Sequence, residues 1–308
     1  MIKEIHIARH HGFCMGVKRA INIAEETAEK SSGKVTILNE IVHNEAVVER
    51  FRSQGVGQAF SVDDVDEGTL IISAHGIAPD VIRRAGAKGL NVVDATCPLV
   101  TVIYDIIKKV VPQGYYVIHY GDRNHDETEG VVGYAPDRIT VVSSIEELAG
   151  LPSWTDRKLG LTVQTTSEMS KTEEFKKAAQ EKWPHIEIFD TICNATNKRQ
   201  SAILALAPHM DMMLVVGSKS SANSTRLAKI SHELCGRGYL INSADDIDER
   251  WFIDQPEIEK VGISAGASTP DFLVEAVVQK LVDISGGTAH VVLPEKKQRI
   301  RNVAGTAR

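Results

Sequence analysis

Three cysteines carry the densest chemical information in the chain. Cys14, Cys97 and Cys193 each stand where an apolar run gives way to a helix-like run, in HIARHHGFCMGVKRA, LNVVDATCPLVTV and IEIFDTICNATNKRQ. Widely spaced cysteines in a reducing compartment read as buried, catalytic or metal-binding. The three are too far apart in sequence for a CxxC knuckle, so a shared centre needs three pieces of chain, each giving one ligand. A single such cysteine reads most simply as a small buried hydrophobe. The fourth, Cys235 in SHELCGRG, is read that way.

The turns that end the strand-like runs have a common composition. They are SAHG with His75, GDRNHDETEG with His125 and Glu127, QTTS with Thr165 and Thr166, then GSKSSANSTRL and AGAST. Ligands of open α/β sheets gather at the carboxyl ends of strands. Small hydroxyl and amide donors beside free backbone N–H groups there make an anion pocket. Imidazoles add charge-assisted donors when protonated. No turn matches a P-loop or GxGxxG fingerprint, so a phosphorylated small molecule fits better than a nucleotide. Any one of these turns is also ordinary cap chemistry. His6 and His119 lie in apolar alternating runs and are read as packing residues.

Such turns need strands and helices to hold them. Strands are predicted over 35–38, 69–73, 91–94, 115–119, 139–142, 158–163, 212–217, 239–241 and 261–264. After Cys14, the residues Val17, Ala20, Ile21, Ala24 and Ala28 follow the spacing of one buried helical face. Pro98 suits a first helical position. Leu227, Ile230, Ser231 and Leu234 trace another stripe, stopped by Gly236 and Gly238. Thr269-Pro270-Asp271 reads as an N-cap, a helix-start proline and a first-turn acid. This alternation means α/β with parallel sheets. VVDATC and IFDTIC resemble each other, which suggests three related α/β units at 15–97, 98–193 and 194–290. Segments 1–14 and 291–308 are expected to pack on them as termini.

Composition sets outer bounds. The chain has 308 residues, 43% hydrophobic and 25% charged, with a formal net charge of −6. It is long enough for two or three domains without staples. The net charge argues against a nucleic-acid binder, and the basic EKKQRIR segment near the end reads as solvated. No run is long enough to span a membrane, and MIKEIHIARH lacks a secretory signal. The expected location is cytoplasmic, where cysteines stay reduced.

In order and spacing, GFCMGVKRAI, EIVHN, SAHG, DATCPLV, NHDETEG, QTT, CNATNKRQ, GSKSSANSTRL and AGASTPDFLV resemble the IspH/LytB family over residues 5–294. These are 4-hydroxy-3-methylbut-2-enyl diphosphate reductases, the last enzymes of the methylerythritol phosphate route to isoprenoids. The resemblance implies three similar α/β domains in a pseudo-threefold trefoil around a central iron–sulfur cluster. It implies one [4Fe–4S] cluster held by Cys14, Cys97 and Cys193, with one iron left open. Diphosphate binding falls on His43, His75, His125, Ser221, Asn223 and Ser268. Glu127 matches the proton-delivering carboxylate and Thr165 the hydroxyl that works with it, with Thr166 in support. Departures from the family pattern are His10-His11 before the first cysteine motif, Met15 after the cysteine, and Ala222 where a second serine is common.

The reaction so implied is reductive dehydroxylation of an allylic diphosphate with two electrons and two protons, giving isopentenyl and dimethylallyl diphosphate. No flavin or nicotinamide motif is present, so a ferredoxin or flavodoxin is the expected electron donor. Two other readings use the same cysteines: a non-redox [4Fe–4S] hydro-lyase acting on a phosphorylated substrate, and a structural or redox-sensing metal module.

Overall fold

The computed structural model of the chain describes residues 2–294. Thirteen strands among them form three sheets, and every paired strand is parallel. In chain order they are β1 (Glu4–Ile7), β2 (Val35–Leu38), β3 (Gly57–Ala59), β4 (Thr69–Ile72), β5 (Asn91–Asp94), β6 (Tyr115–Tyr120), β7 (Ile139–Val142), β8 (Lys158–Val163), β9 (Glu187–Ile188), β10 (Met212–Val216), β11 (Gly238–Ile241), β12 (Lys260–Ala265) and β13 (His290–Val292). The helices are α1 (Met15–Lys30), α2 (Glu45–Ser53), α3 (Pro79–Ala87), α4 (Pro98–Val110), α5 (Asp126–Gly133), α6 (Ile145–Gly150), α7 (Met169–Lys182), α8 (Asn194–Leu206), α9 (Ala222–Cys235), α10 (Arg250–Ile253) and α11 (Asp271–Ile284).

The three sheets share one topology. Their orders are β3-β2-β4-β5, β7-β6-β8-β9 and β11-β10-β12-β1-β13. In each, the first strand of the set sits between the second and third, and a fourth strand lies outside the third. The fourth strand of the last sheet is β1, from the other end of the chain, with β13 added beyond it. The amino-terminal segment is therefore part of a sheet, paired over Glu4–Ile7 with Lys260–Ile263, where a packed terminal segment was expected. KEIHIAR carries too much charge to read as an inner strand, and its partners lie at the opposite end of the sequence. Residues 295–308, with the basic segment, lie outside the described residues.

Parallel strands covered on both faces read as continuous apolar runs. Successive residues then serve two cores: Leu70 and Ile72 pack into one cluster and Ile71 into another. Met212, Leu214 and Val216 likewise face one side of β10, Met213 and Val215 the other. Full burial of each such side chain contributes roughly 1.5–3 kcal/mol. No helix among the described residues is long and apolar enough to cross a membrane.

Local differences from the sequence reading have local causes. Of the α1 stripe, Val17, Ala20, Ile21 and Ala24 are buried and Ala28 is only half-buried. Leu234 is exposed, and the buried face of α9 also includes Ala228, which the expected stripe lacked. Thr269 does not cap α11, because its hydroxyl donates to the Val216 carbonyl; Pro270 occupies the cap position. The strand before Cys193 stops at Ile188, since Thr191 Oγ1 both accepts from Val163 N and donates to Val163 O in place of the ladder.

Candidate active site

All three cysteines are helix N-caps that follow a fourth strand: Cys14 for α1 after β1, Cys97 for α4 after β5, Cys193 for α8 after β9. None of these helices has an acidic residue in its first turn. The aligned dipoles therefore point three positive ends at one place. All four cysteines are free thiols, and the three capping ones line one cavity. Burial, followed by the neighbouring Cys14 and Cys193, pushes the Cys97 thiol up. Gly16 makes the approach possible, because a Cβ there would collide with Cys97 Sγ.

Each cysteine N–H is tied to one of the donor-rich turns. Cys14 N donates to Ala267 O at 3.0 Å, Cys97 N to Ala74 O at 2.9 Å, and Cys193 N to Thr165 O at 3.0 Å. Those turns end β12, β4 and β8, the third strands of the three sheets. The turns after the first strands, β2, β6 and β10, supply His43, His125 with Glu127, and Ser221 with Asn223. Parallel sheets bind ligands where neighbouring connections leave in opposite directions, and each sheet here contributes that pair of turns.

His43, His75 and His125 form a cluster from two sheets. His43 and His75 stack with ring centroids 3.9 Å apart, and His125 meets both edge-on at 5.5 and 5.7 Å. His43 Nδ1 pairs with Glu40 Oε2 at 2.9 Å. As N-cap of α5, His125 accepts from Glu127 N through Nδ1 at 3.1 Å, which leaves Nε2 for a ligand. Burial, with His43 adding repulsion, depresses the His125 imidazole to about 4. Burial beside His43 and His125 holds His75 well below its ordinary range. His75 and His125 are thus neutral in the free cavity at pH 7, and an arriving anion must bring the charge that protonates them.

Glu127 is buried on the first turn of α5. Thr165 N donates to its Oε1 at 2.7 Å and Thr165 Oγ1 to its Oε2 at 2.6 Å. Both bonds favour the carboxylate, yet burial outweighs them and raises its pKa. On the opposite wall Asn223 is buried and both its amide atoms lack a partner. Such groups are costly unless a ligand or water satisfies them. Ser221 Oγ accepts from Ser224 N, and Ser268 Oγ donates to His43 O at 2.9 Å. Ser268 must therefore exchange that bond or bind as an acceptor. Every residue expected to bind metal or substrate or to act on it lines this one cavity, with Thr166 and Ala222 beside them; Cys235 does not.

The LytB protein family matches residues 5–282 of the chain. The chain belongs to the LytB family. The 4-hydroxy-3-methylbut-2-enyl diphosphate reductase of Geobacter metallireducens is 39% identical over 281 residues, covering 91% of this chain and 98% of the relative. That of Aquifex aeolicus is 38% identical, covering 92% and 98%. A solved E-1-hydroxy-2-methyl-but-2-enyl-4-diphosphate reductase from Plasmodium falciparum superposes with a TM-score of 0.91 at 29% identity, covering 97% of this chain and 93% of its own. A solved (E)-4-hydroxy-3-methyl-but-2-enyl diphosphate reductase, described as the terminal enzyme of the non-mevalonate pathway, gives 0.65 at 37%, covering 92% and 100%.

The three cysteines of this LytB chain fit an iron–sulfur group. Three free thiols in one cavity, each at a positive helix end, lower the cost of gathering negative charge. One ligand atom each from His43, His75 and Asp126 lies within 4.8 Å of the others, a spacing that can also hold a cation.

Two arginines escaped the sequence reading. Arg199 is buried on α8, donates to Ala195 O and Gly12 O, and places its charge near Cys14 and Cys193. Arg226 on α9 donates to Thr166 O at 2.9 Å and Oγ1 at 3.2 Å, and its charge opposes the upward shift of Glu127. Arg226 follows Asn223 by three residues, on the same helical face, and that spacing was the available signal.

Proposed function

We propose that this chain reduces (E)-4-hydroxy-3-methylbut-2-enyl diphosphate to isopentenyl and dimethylallyl diphosphate, releasing water and consuming two electrons and two protons. The reading rests on one juxtaposition: a buried Glu127 with raised pKa, hydrogen-bonded to Thr165, faces the cavity that Cys14, Cys97 and Cys193 also line. Curated relatives of nearly full length bear the name of this reductase.

We assign Cys14, Cys97 and Cys193 as ligands of one [4Fe–4S] cluster with an iron free of protein ligands. When bound, it supplies electrons and a Lewis-acid site for the alcohol oxygen. The chain's own residues do the rest. His43, His75, His125, Ser221, Asn223 and Ser268 hold the diphosphate, whose charge favours protonation of His75 and His125. Holding both ends of a short substrate fixes its hydroxyl, and orientation of this kind lowers a barrier substantially. A neutral Glu127 carboxyl turns the Thr165 contact around: Glu127 donates to Thr165 Oγ1, whose own hydrogen then points to the departing hydroxyl. General-acid assistance suits a leaving group as poor as hydroxide. Arg226 keeps Thr166 in place and stops the Glu127 pKa from rising too far for reprotonation.

The repeating units are assigned as 15–97, 98–193 and 194–290, with β1 completing the third. Electrons enter from a separate donor protein, and the expected site of action is the cytoplasm. The test is product analysis of anaerobically reconstituted protein with and without dithionite and a viologen. Isopentenyl and dimethylallyl diphosphate should form only with the reductant. A dehydrated product formed without it would overturn the assignment in favour of a hydro-lyase.

A further inference from the structure

The three cysteines line a second recess as well as the substrate cavity. Its character is different. Arg9, Arg19, Lys198 and Arg199 border it, with His10 and His11, and no carboxylate lines it. Asp271 Oδ1 lies against Gly12, next in sequence to His11 and Phe13 of the lining. Arg9 and Lys198 are exposed and make no ion pair among the described residues. Arg19 and Arg199 are bound only to backbone carbonyls. Met15 is 88% exposed and Leu99 is 43% exposed on the same rim. The chain as a whole carries a net charge of −6, so this concentration of unpaired positive charge runs against the average.

We propose that this recess is the docking surface for a small acidic electron-carrier protein, with Arg9, Arg19 and Lys198 as the charged rim and Met15 and Leu99 as apolar anchors. The inference rests on the reductase reading and extends it to the partner. A carrier with acidic residues around its redox centre is repelled by most of the acidic molecule and attracted here, which orients it. Its centre is then brought toward the face of the three thiols that points away from the substrate. Small redox encounters of this type bury little surface and turn over quickly. Each docking would oxidise the carrier by one electron, which would pass to the group that Cys14, Cys97 and Cys193 would hold. Two dockings supply the two electrons of the reaction, and the two protons enter separately. A nucleic-acid partner fits less well, because the charge rings a concave recess with apolar anchors and forms no stripe.

The test uses an acidic [2Fe–2S] ferredoxin as probe and the cluster-loaded protein. Oxidised ferredoxin binding is measured by calorimetry at low and high salt, for the native chain and for an Arg9→Glu/Lys198→Glu variant. Binding should weaken at least tenfold in the variant and also with salt. Turnover driven by reduced ferredoxin should fall in parallel, while turnover driven by dithionite and a viologen stays within twofold and reports an intact fold. Met15→Ala alone should weaken binding about threefold. Unchanged ferredoxin binding in the double variant would overturn the proposal. So would binding of an oligonucleotide at the recess with none of ferredoxin. Loss of viologen-driven turnover in the native chain would instead strike the reductase reading, and the binding comparison would still stand.

Discussion

Helix starts of two kinds meet at the cavity. At α1, α4 and α8 the cap is a cysteine and the first turn holds no acid. At α5 the cap is His125 and the first turn holds Asp126, Glu127 and Glu129. The first arrangement leaves a positive end free to stabilise an anionic centre. The second already satisfies its dipole with carboxylates, and it buries one of them. The dipole and the Thr165 bonds draw Glu127 toward ionisation, but desolvation prevails. In the proposed reaction the first kind of helix start would hold the electron-carrying group and the second would keep a proton available beside it.

The largest effect should come from breaking the first kind. Cys97→Ala should abolish the bound cluster and reduce turnover more than a thousandfold, read as loss of brown absorbance and of iron per chain. Glu127→Gln keeps the shape and removes the proton. Turnover should fall about 10²–10⁴-fold with substrate affinity retained, and near-normal turnover would sink the acid assignment. Gly16→Ala tests the approach of the thiols. Alanine favours a helix by about 1 kcal/mol over glycine, yet its Cβ would collide with Cys97 Sγ. Iron loading should drop severalfold while the cluster-free protein melts no lower.

Arg226→Met should raise the Glu127 pKa further, since this guanidinium lowers it. The alkaline limb of the pH–rate profile should move up, where a purely structural role would lower the rate evenly. The smallest effect concerns stability. An unfolded His125 takes up a proton near 6.5, whereas the folded one waits until about 4. Stability of the free protein should therefore fall as pH drops through that window, by about 3 kcal/mol from this residue. Glu127 acts in the opposite sense: its contribution is present below its unfolded pKa and is lost as pH rises through the raised one. Denaturant midpoints of the native chain and His125→Gln, measured across that range, separate the two.

Much of this was legible in the sequence because it is local. Nine strands show as β-branched runs, and Pro98 marks its helix start. The cysteines and donor turns are readable as types at strand ends, and the roles proposed for them come from the family resemblance. What escaped depends on distant partners. β1 is a strand because β12 and β13 flank it, and β3 and β9 are too short to leave a period. Neutral imidazoles at His75 and His125 come from mutual burial, which a motif does not encode. The same holds for the placement of Arg199 and Arg226 against thiols and carboxylate.

The central claim joins electron delivery at the cysteines to proton delivery at Glu127. Its most direct test counts electrons. Substrate is added anaerobically to a stoichiometrically limited reductant, and oxidised reductant is compared with isopentenyl plus dimethylallyl diphosphate formed. The account predicts two electrons per product molecule. Substrate consumed with no electrons taken up would contradict it.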